Sequence, residues 1–172
     1  MKGFGVELKL LSEATLELVR AWRNDEQTSR FMQFRKQITP EDQLKWFKSI
    51  EKAYYFVIYA ETVPVGLIDL KKIDEKNKTA EAGLLIGNTN FVGTGIALGA
   101  SVLLLDFAFE KLHLRVVTAT INTLNSEAQQ YNQLLGFVKT HALDEQFDRW
   151  ELQQLEYVQQ RKKLVGLLSS IL

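Results

Sequence analysis

The sequence predicts a single mixed α/β domain of the α+β type: one twisted, mostly antiparallel sheet of about seven strands, flanked by about four helices. Three observations carry this. β-Former runs follow one another with only short polar turns between them across residues 54–86. One strand–helix–strand passage comes next, its long apolar helix opening near residue 96. Finally, no repeat, low-complexity tract or Pro/Gly/Ser linker interrupts the 172 residues, so they read as one domain over 1–172. A doubly wound fold would alternate strand and helix throughout, which this order does not.

Taken in order, Val6, Leu8 and Leu10 alternate as a short first strand. Ser12 is a candidate N-cap for the helical stripe Leu16, Val19 and Trp22, which gives way to the polar stretch RNDEQTS. Thr39-Pro40-Glu41-Asp42 opens a second helix with a capping hydroxyl, a proline at the first helical position and acids in the first turn. Leu44, Phe47 and Ile50 mark its apolar face. YYFVIYA and VPVGLIDL, joined at Glu61-Thr62, read as an antiparallel hairpin, and AEAGLLIG as the next strand. Leu98, Val102, Leu105, Ala108 and Leu112 then recur at helical spacing. RVVTATI is strand-like, and a helix over 125–135 is closed by Gly136. Strands near 137–143 and 147–157 complete the sheet.

Lys+Arg and Asp+Glu are each 21, so the net charge is zero and nothing global draws the chain to nucleic acid or an anionic membrane. The absence of cysteine excludes disulfides, thiolate metal sites and a cysteine nucleophile, and fits a cytoplasmic protein. MKGFGVELKLL lacks a signal-peptide apolar run. The most apolar late stretch, Leu164 to Leu172, is far short of the roughly 20 residues that span a bilayer. His113 and His141, the only histidines, stand apart without ligand spacing, so no metal is expected. No serine sits in a nucleophile elbow.

The chemistry concentrates at Gly93-Thr94-Gly95-Ile96-Ala97-Leu98-Gly99, which follows a strand and opens a helix. Glycines allow a tight turn with uncovered N–H groups, and the helix N-terminus adds free donors and partial positive charge, a setting for phosphate. The alternative is a strand-to-helix turn that uses glycine only for its dihedral freedom. The spacing G-x-G-x-x-x-G is not the dinucleotide fingerprint, and no lysine supplies a Walker loop.

VGTGIA ahead of an apolar helix resembles the Arg/Gln-x-x-Gly-x-Gly/Ala signature of the GCN5-related N-acetyltransferase (GNAT) superfamily, with Gly95 and Ala97 at the small positions. Val92 departs from it, standing where arginine or glutamine is usual. Downstream, Asn125, Ala128, Tyr131 and Gly136-Phe137 are similar to the family's second signature segment. The resemblance implies that main-chain amides of Gly93, Thr94, Gly95, Ile96 and Ala97 bind the pyrophosphate of acetyl-coenzyme A. It implies that the Leu84-Leu85-Ile86 backbone orients the pantetheine and polarises the thioester, and that Asn125 contacts the same arm. It also implies that Tyr131 protonates the departing thiolate and that Glu81 takes a proton from the incoming amine. A strand-end carboxylate in solvent is the plain alternative for Glu81, and a packing role the alternative for Tyr131.

The layout Trp22-Arg23-Asn24-Asp25, ITPEDQLKWF, YYFVIY and VGLIDL resembles the branch holding ribosomal-protein N-terminal acetyltransferases and nucleotide-linked amino-sugar acetyltransferases. The resemblance covers about residues 5–157, leaving 158–172 as a C-terminal extension. Its implied activity is direct acetyl transfer from acetyl-CoA to a primary amine without a covalent enzyme intermediate, and without metal, nucleic acid or membrane partners. A nucleotide-linked amino sugar is the first acceptor, a peptide N-terminus the runner-up, and a non-catalytic acyl-CoA-binding module the reading from another class. Phe31-Met32-Gln33-Phe34-Arg35 offers aromatics to a sugar or base, and Arg30 or Arg35 to a phosphate; equally, the aromatics tie the helices to the core. Arg161-Lys162-Lys163 read as a solvated face. The final apolar segment packs either on the body or on a second subunit, which leaves a homodimer open.

Overall fold

The alternation of side chains along the strands sorts the core into two layers, one on each face of one sheet. In the computed structural model, which describes residues 1–171, the strands are β1 (Lys2–Gly3), β2 (Val6–Leu10), β3 (Tyr54–Ala60), β4 (Val63–Asp74), β5 (Thr79–Ile86), β6 (Val116–Asn122), β7 (Val138–Ala142) and β8 (Phe147–Gln153). They form one eight-stranded sheet in the order β1-β2-β3-β4-β5-β6-β8-β7. Every neighbouring pair is antiparallel except β5–β6. The helices are α1 (Leu16–Asn24), α2 (Glu26–Ser29), α3 (Pro40–Lys48), α4 (Ile96–Asp106), α5 (Ser126–Leu135) and α6 (Gln154–Ile171). The expected mixed, mostly antiparallel domain is present, with β1, α2 and α6 beyond the expected elements.

On one face, Leu11, Leu16, Val19 and Trp22 pack against Val57 and Leu67 of the sheet. On the other, Phe56, Ile58, Ile68 and Leu70 meet α4, α5 and α6. Leu98, Ala100, Val102, Leu104 and Leu105 of α4 are all buried, because the sheet lies beneath the helix and α6 above it. A helix apolar all round needs such double cover. Beyond Asp106 it widens into a π turn over Phe107–Lys111, with the Leu112 N–H donating to the Phe107 carbonyl at 3.0 Å.

Two of the expected helix ends form as implied, whereas Ser12 precedes a 3₁₀ turn at Glu13–Thr15 and Thr15 takes the N-cap position of α1. Thr39 Oγ1 accepts from the Asp42 N–H at 3.1 Å, and Gly136 ends α5 at φ 100°. Several expectations need correction. Leu10 is exposed and Leu11 takes the core position. On α3 the buried side chain is Gln43, whereas Leu44 lies at the surface. The last strand ends at Gln153, where the Gln154 N–H donates to the Arg115 carbonyl at 2.9 Å and α6 begins. Arg161 is not a free surface cation: it forks onto Asp106 at 2.7 and 2.8 Å, beside the Tyr157 hydroxyl, which donates to the same carboxylate at 2.7 Å. Leu164 and Leu168 are fully buried, so residues 164–171 pack on their own body through these side chains, and Leu172 lies outside the described residues. The outer face of α4 is apolar and must be covered, each leucine contributing about 1.5–3 kcal/mol on burial.

Candidate active site

The one parallel contact of the sheet is short. β5 and β6 are paired only at Thr79↔Val116, Ala80↔Val117 and Glu81↔Thr118. Beyond these, β5 runs on to Ile86 against β4, and β6 to Asn122 against β8, so their facing edges part. The parting opens a cleft of about 790 Å³ in the middle of the sheet. Leu84, Leu85 and Ile86 line one wall and Ala119 to Asn122 the other, with Ser101, Leu104 and Leu105 of α4 also in the lining. An unpaired strand edge supplies amides and carbonyls to any extended chain laid along it.

At one end of this cleft the chain leaves β5 through a 3₁₀ turn at Thr89–Phe91 and enters α4 across Gly93 (φ 78°) and Gly95 (φ 80°). Both glycines occupy the left-handed region that side chains resist. Among the described residues, nothing accepts from the amides of Gly93, Gly95, Ile96 or Ala97. The Thr94 amide and hydroxyl turn back to the Phe91 carbonyl instead. Four free donors at the start of an eleven-residue helix form an anion cradle. The turn flanks the cleft lining, which Thr89 and Val92 join on its near side.

Tyr131 of α5 reaches the cleft with its hydroxyl 2.7 Å from Ser101 Oγ. Burial pushes its phenol well above the ordinary tyrosine value, only partly offset by the Ser101 hydrogen bond, so it stays protonated through the neutral range. Asn125 lines the cleft and caps α5, its Oδ1 accepting from the Ala128 N–H at 3.0 Å.

The other half of the cleft lies under α1 and α3. Arg23, Arg30, Phe31, Phe34, Trp46 and Tyr55 line it, with Asp69, Lys71 and Glu81 rising from the sheet. The Arg23 guanidinium lies 5.7 Å from the Trp46 ring and Arg30 lies 4.6 Å from Phe31. Neither guanidinium has a carboxylate or carbonyl partner among the described residues. Glu81 is buried, not solvent-facing, with Lys72 at 2.8 Å and Lys71 at 3.5 Å. Burial works to raise its carboxyl, but the Lys72 hydrogen bond and the two ammonium charges outweigh that and hold it below the usual glutamate value. Arg35 does not line the cleft; its Nε donates to the Met32 carbonyl at 3.0 Å.

The acetyltransferase (GNAT) domain profile matches residues 6–138. The chain belongs to the GNAT acetyltransferase family. Solved structures share the GNAT fold at low identity. The spermidine N-acetyltransferase from Vibrio cholerae, in complex with CoA and spermine, is 20% identical, with 91% of this chain and 99% of that one aligned at a TM-score of 0.80. FdhC, a nucleotide-linked sugar GNAT in apo form, is 17% identical over 98% and 97% of the two chains, at 0.83. A domain from Methanocaldococcus jannaschii is 23% identical over 86% and 97%, at 0.77. No curated protein sequence matches. GNAT enzymes use acetyl-CoA, and among the described residues no group of acids and histidines could hold a metal ion. No described helix is long and apolar enough to cross a membrane.

Ser101 and Asp69, two cleft residues of this GNAT domain, escaped the sequence reading. Ser101 looks like an interruption of an apolar helix. Asp69 in VGLIDL breaks an otherwise apolar strand, and that break was its only signal.

Proposed function

We propose that this enzyme transfers acetyl from acetyl-CoA to the primary amine of a small acceptor that also carries an anionic group, of the nucleotide-linked amino-sugar type. The free amides at Gly93, Gly95, Ile96 and Ala97 suit the pyrophosphate, and the open Leu84–Ile86 edge suits the amides of the pantetheine arm. Tyr131 then gives its proton to the leaving sulfur, while Ser101 turns to donate to the phenolic oxygen as charge builds there.

For the acceptor, one observation carries the reading: two guanidiniums, Arg23 and Arg30, face the cleft beside aromatic rings and lack carboxylate partners. Such donors call for a phosphate or carboxylate, and the rings for a sugar or base. A polycation is poorly matched, because two lysines already neutralise Glu81.

Thiol release from acetyl-CoA, followed with a nucleoside-diphosphate amino sugar, a ribosomal-type peptide N-terminus and spermidine, tests this. Turnover is expected with the amino sugar. Acetylation of the peptide or the polyamine alone would discard the acceptor and keep the transfer. Binding of acetyl-CoA without turnover of any amine would leave an acyl-CoA-binding module.

A further inference from the structure

An acceptor amine is a cation at neutral pH and attacks a thioester only after losing a proton. Glu81 is badly placed to take it, since both of its oxygens are engaged by Lys71 and Lys72. The structure assigns this step to Asp69 of β4 instead. This inference rests on the acetyl-transfer reading above and adds its proton acceptor.

Asp69 is buried on the α1/α3 face of the sheet, yet it lines the cleft; Lys71 is paired with its Oδ1, and no described residue donates a hydrogen bond to its Oδ2. Lys71 Nζ stands 3.3 Å from Oδ1 and 3.5 Å from Glu81 Oε1, so it is shared between the two carboxylates, whereas Lys72 fills the second oxygen of Glu81 and no described residue fills that of Asp69. A carboxylate oxygen left without a donor in a folded interior costs stability, and a ligand amine that reaches it would complete it. A second feature is built around it. Asp69 is paired across the ladder with Gly83 of β5, and a Cβ at Gly83 would meet the Asp69 Oδ2 at 2.6 Å. Glycine weakens a mid-strand position, and here it makes room for the carboxylate to lie over β5. That is one residue before the Leu84–Ile86 edge proposed to hold the thioester.

The groups facing Asp69 are Lys71 on its own strand, Glu81 on β5, Arg23 on α1 and Tyr55 on β3. Burial raises the Asp69 carboxyl above its ordinary value, and the Lys71 charge offsets this only in part, whereas two lysines hold Glu81 below its own. The protons balance. The ammonium gives one proton to the Asp69 carboxylate, and the amine lone pair forms the C–N bond. The C–S bond breaks towards sulfur, which takes the Tyr131 proton. The amide nitrogen sheds its second proton, which restores the phenol through water, and Asp69 releases its own proton to solvent.

Asp69→Asn keeps size and shape and tests this with whichever amine the parent enzyme turns over. The acceptor kcat/KM is expected to fall about 10²–10⁴-fold and to lose its acidic limb, with acetyl-CoA affinity by calorimetry unchanged. A wild-type enzyme that is inactive on every amine defeats the transferase reading. An active one whose acidic limb survives Asp69→Asn, or disappears only in Glu81→Gln, overturns the assignment to Asp69 alone. Carboxyl carbon-13 NMR of the wild-type protein needs neither variant nor acceptor. The assigned Asp69 resonance should titrate above the ordinary aspartate range, and titration at or below that range also overturns the assignment.

Discussion

On the donor side of the cleft, the groups poised for a ligand are main-chain amides, strand edges and one buried hydroxyl pair. On the acceptor side they are long side chains: Arg23 and Arg30, the rings of Phe31, Phe34, Trp46 and Tyr55, and the Asp69–Lys71–Glu81 cluster. Main-chain recognition demands particular backbone dihedrals, so it leaves glycines at set positions in the sequence. Side-chain recognition demands only that some residue reach the right place, and many sequences satisfy that. One superfamily can therefore share its donor half and diverge in its acceptor half.

Experiments can break or sharpen that contrast. The largest effect is expected from Tyr131→Phe, which should lower kcat by about 10²–10⁴-fold and leave acetyl-CoA affinity nearly intact, because only a proton donor is lost. Single-turnover kinetics beside calorimetry separates the two quantities, and parent-like turnover would hand thiolate protonation to water. Gly95→Val comes next. A β-branched residue at φ 80° costs about 1–2 kcal/mol in backbone strain alone, so calorimetry should show acetyl-CoA binding weakened roughly tenfold or more. The rise in melting temperature that acetyl-CoA gives the parent protein should shrink with it.

On the acceptor side the effects should be smaller and should spare acetyl-CoA. Arg23→Ala or Arg30→Ala each removes a charged donor worth about 1.5–3 kcal/mol, so the acceptor KM should rise about tenfold or more in steady-state assays. A fall in acetyl-CoA affinity instead would erase the division between the halves. Arg35→Ala should change KM by about twofold at most, as expected for a side chain outside the cleft.

The local frame around the donor side was legible. The glycine turn ahead of α4, the close of α5 at Gly136 and the cap at Thr39 form where the sequence places them. The rest was hidden for physical reasons. The partner of Tyr131 is thirty residues away on another helix, and nothing local in Ser101 announces it. Glu81 stood out as an acid on the right strand, but its two lysines come from the neighbouring strand, and their effect on it belongs to the sheet register. The last helix was missed because its burial is sparse: Tyr157, Leu164 and Leu168 turn inward while Leu155, Val158 and Leu167 remain exposed. That pattern gives little amphipathic signal, and only the apolar outer face of α4 explains why the helix docks.

The short β5–β6 seam has a mechanical consequence. Three residue pairs join strands β1–β5 to strands β6–β8, so the backbone ladder alone is a weak splice between two slabs. α4 lies on the first slab, against β2, β4 and β5, while α6 spans from α4 to α5 and β8 of the second. The last helix is thus a tie-beam across the back of a split plate, pinned by the Asp106–Arg161–Tyr157 clasp. The two slabs are therefore joined across the face opposite α1 and α3 by side-chain packing on α6, not by the ladder alone.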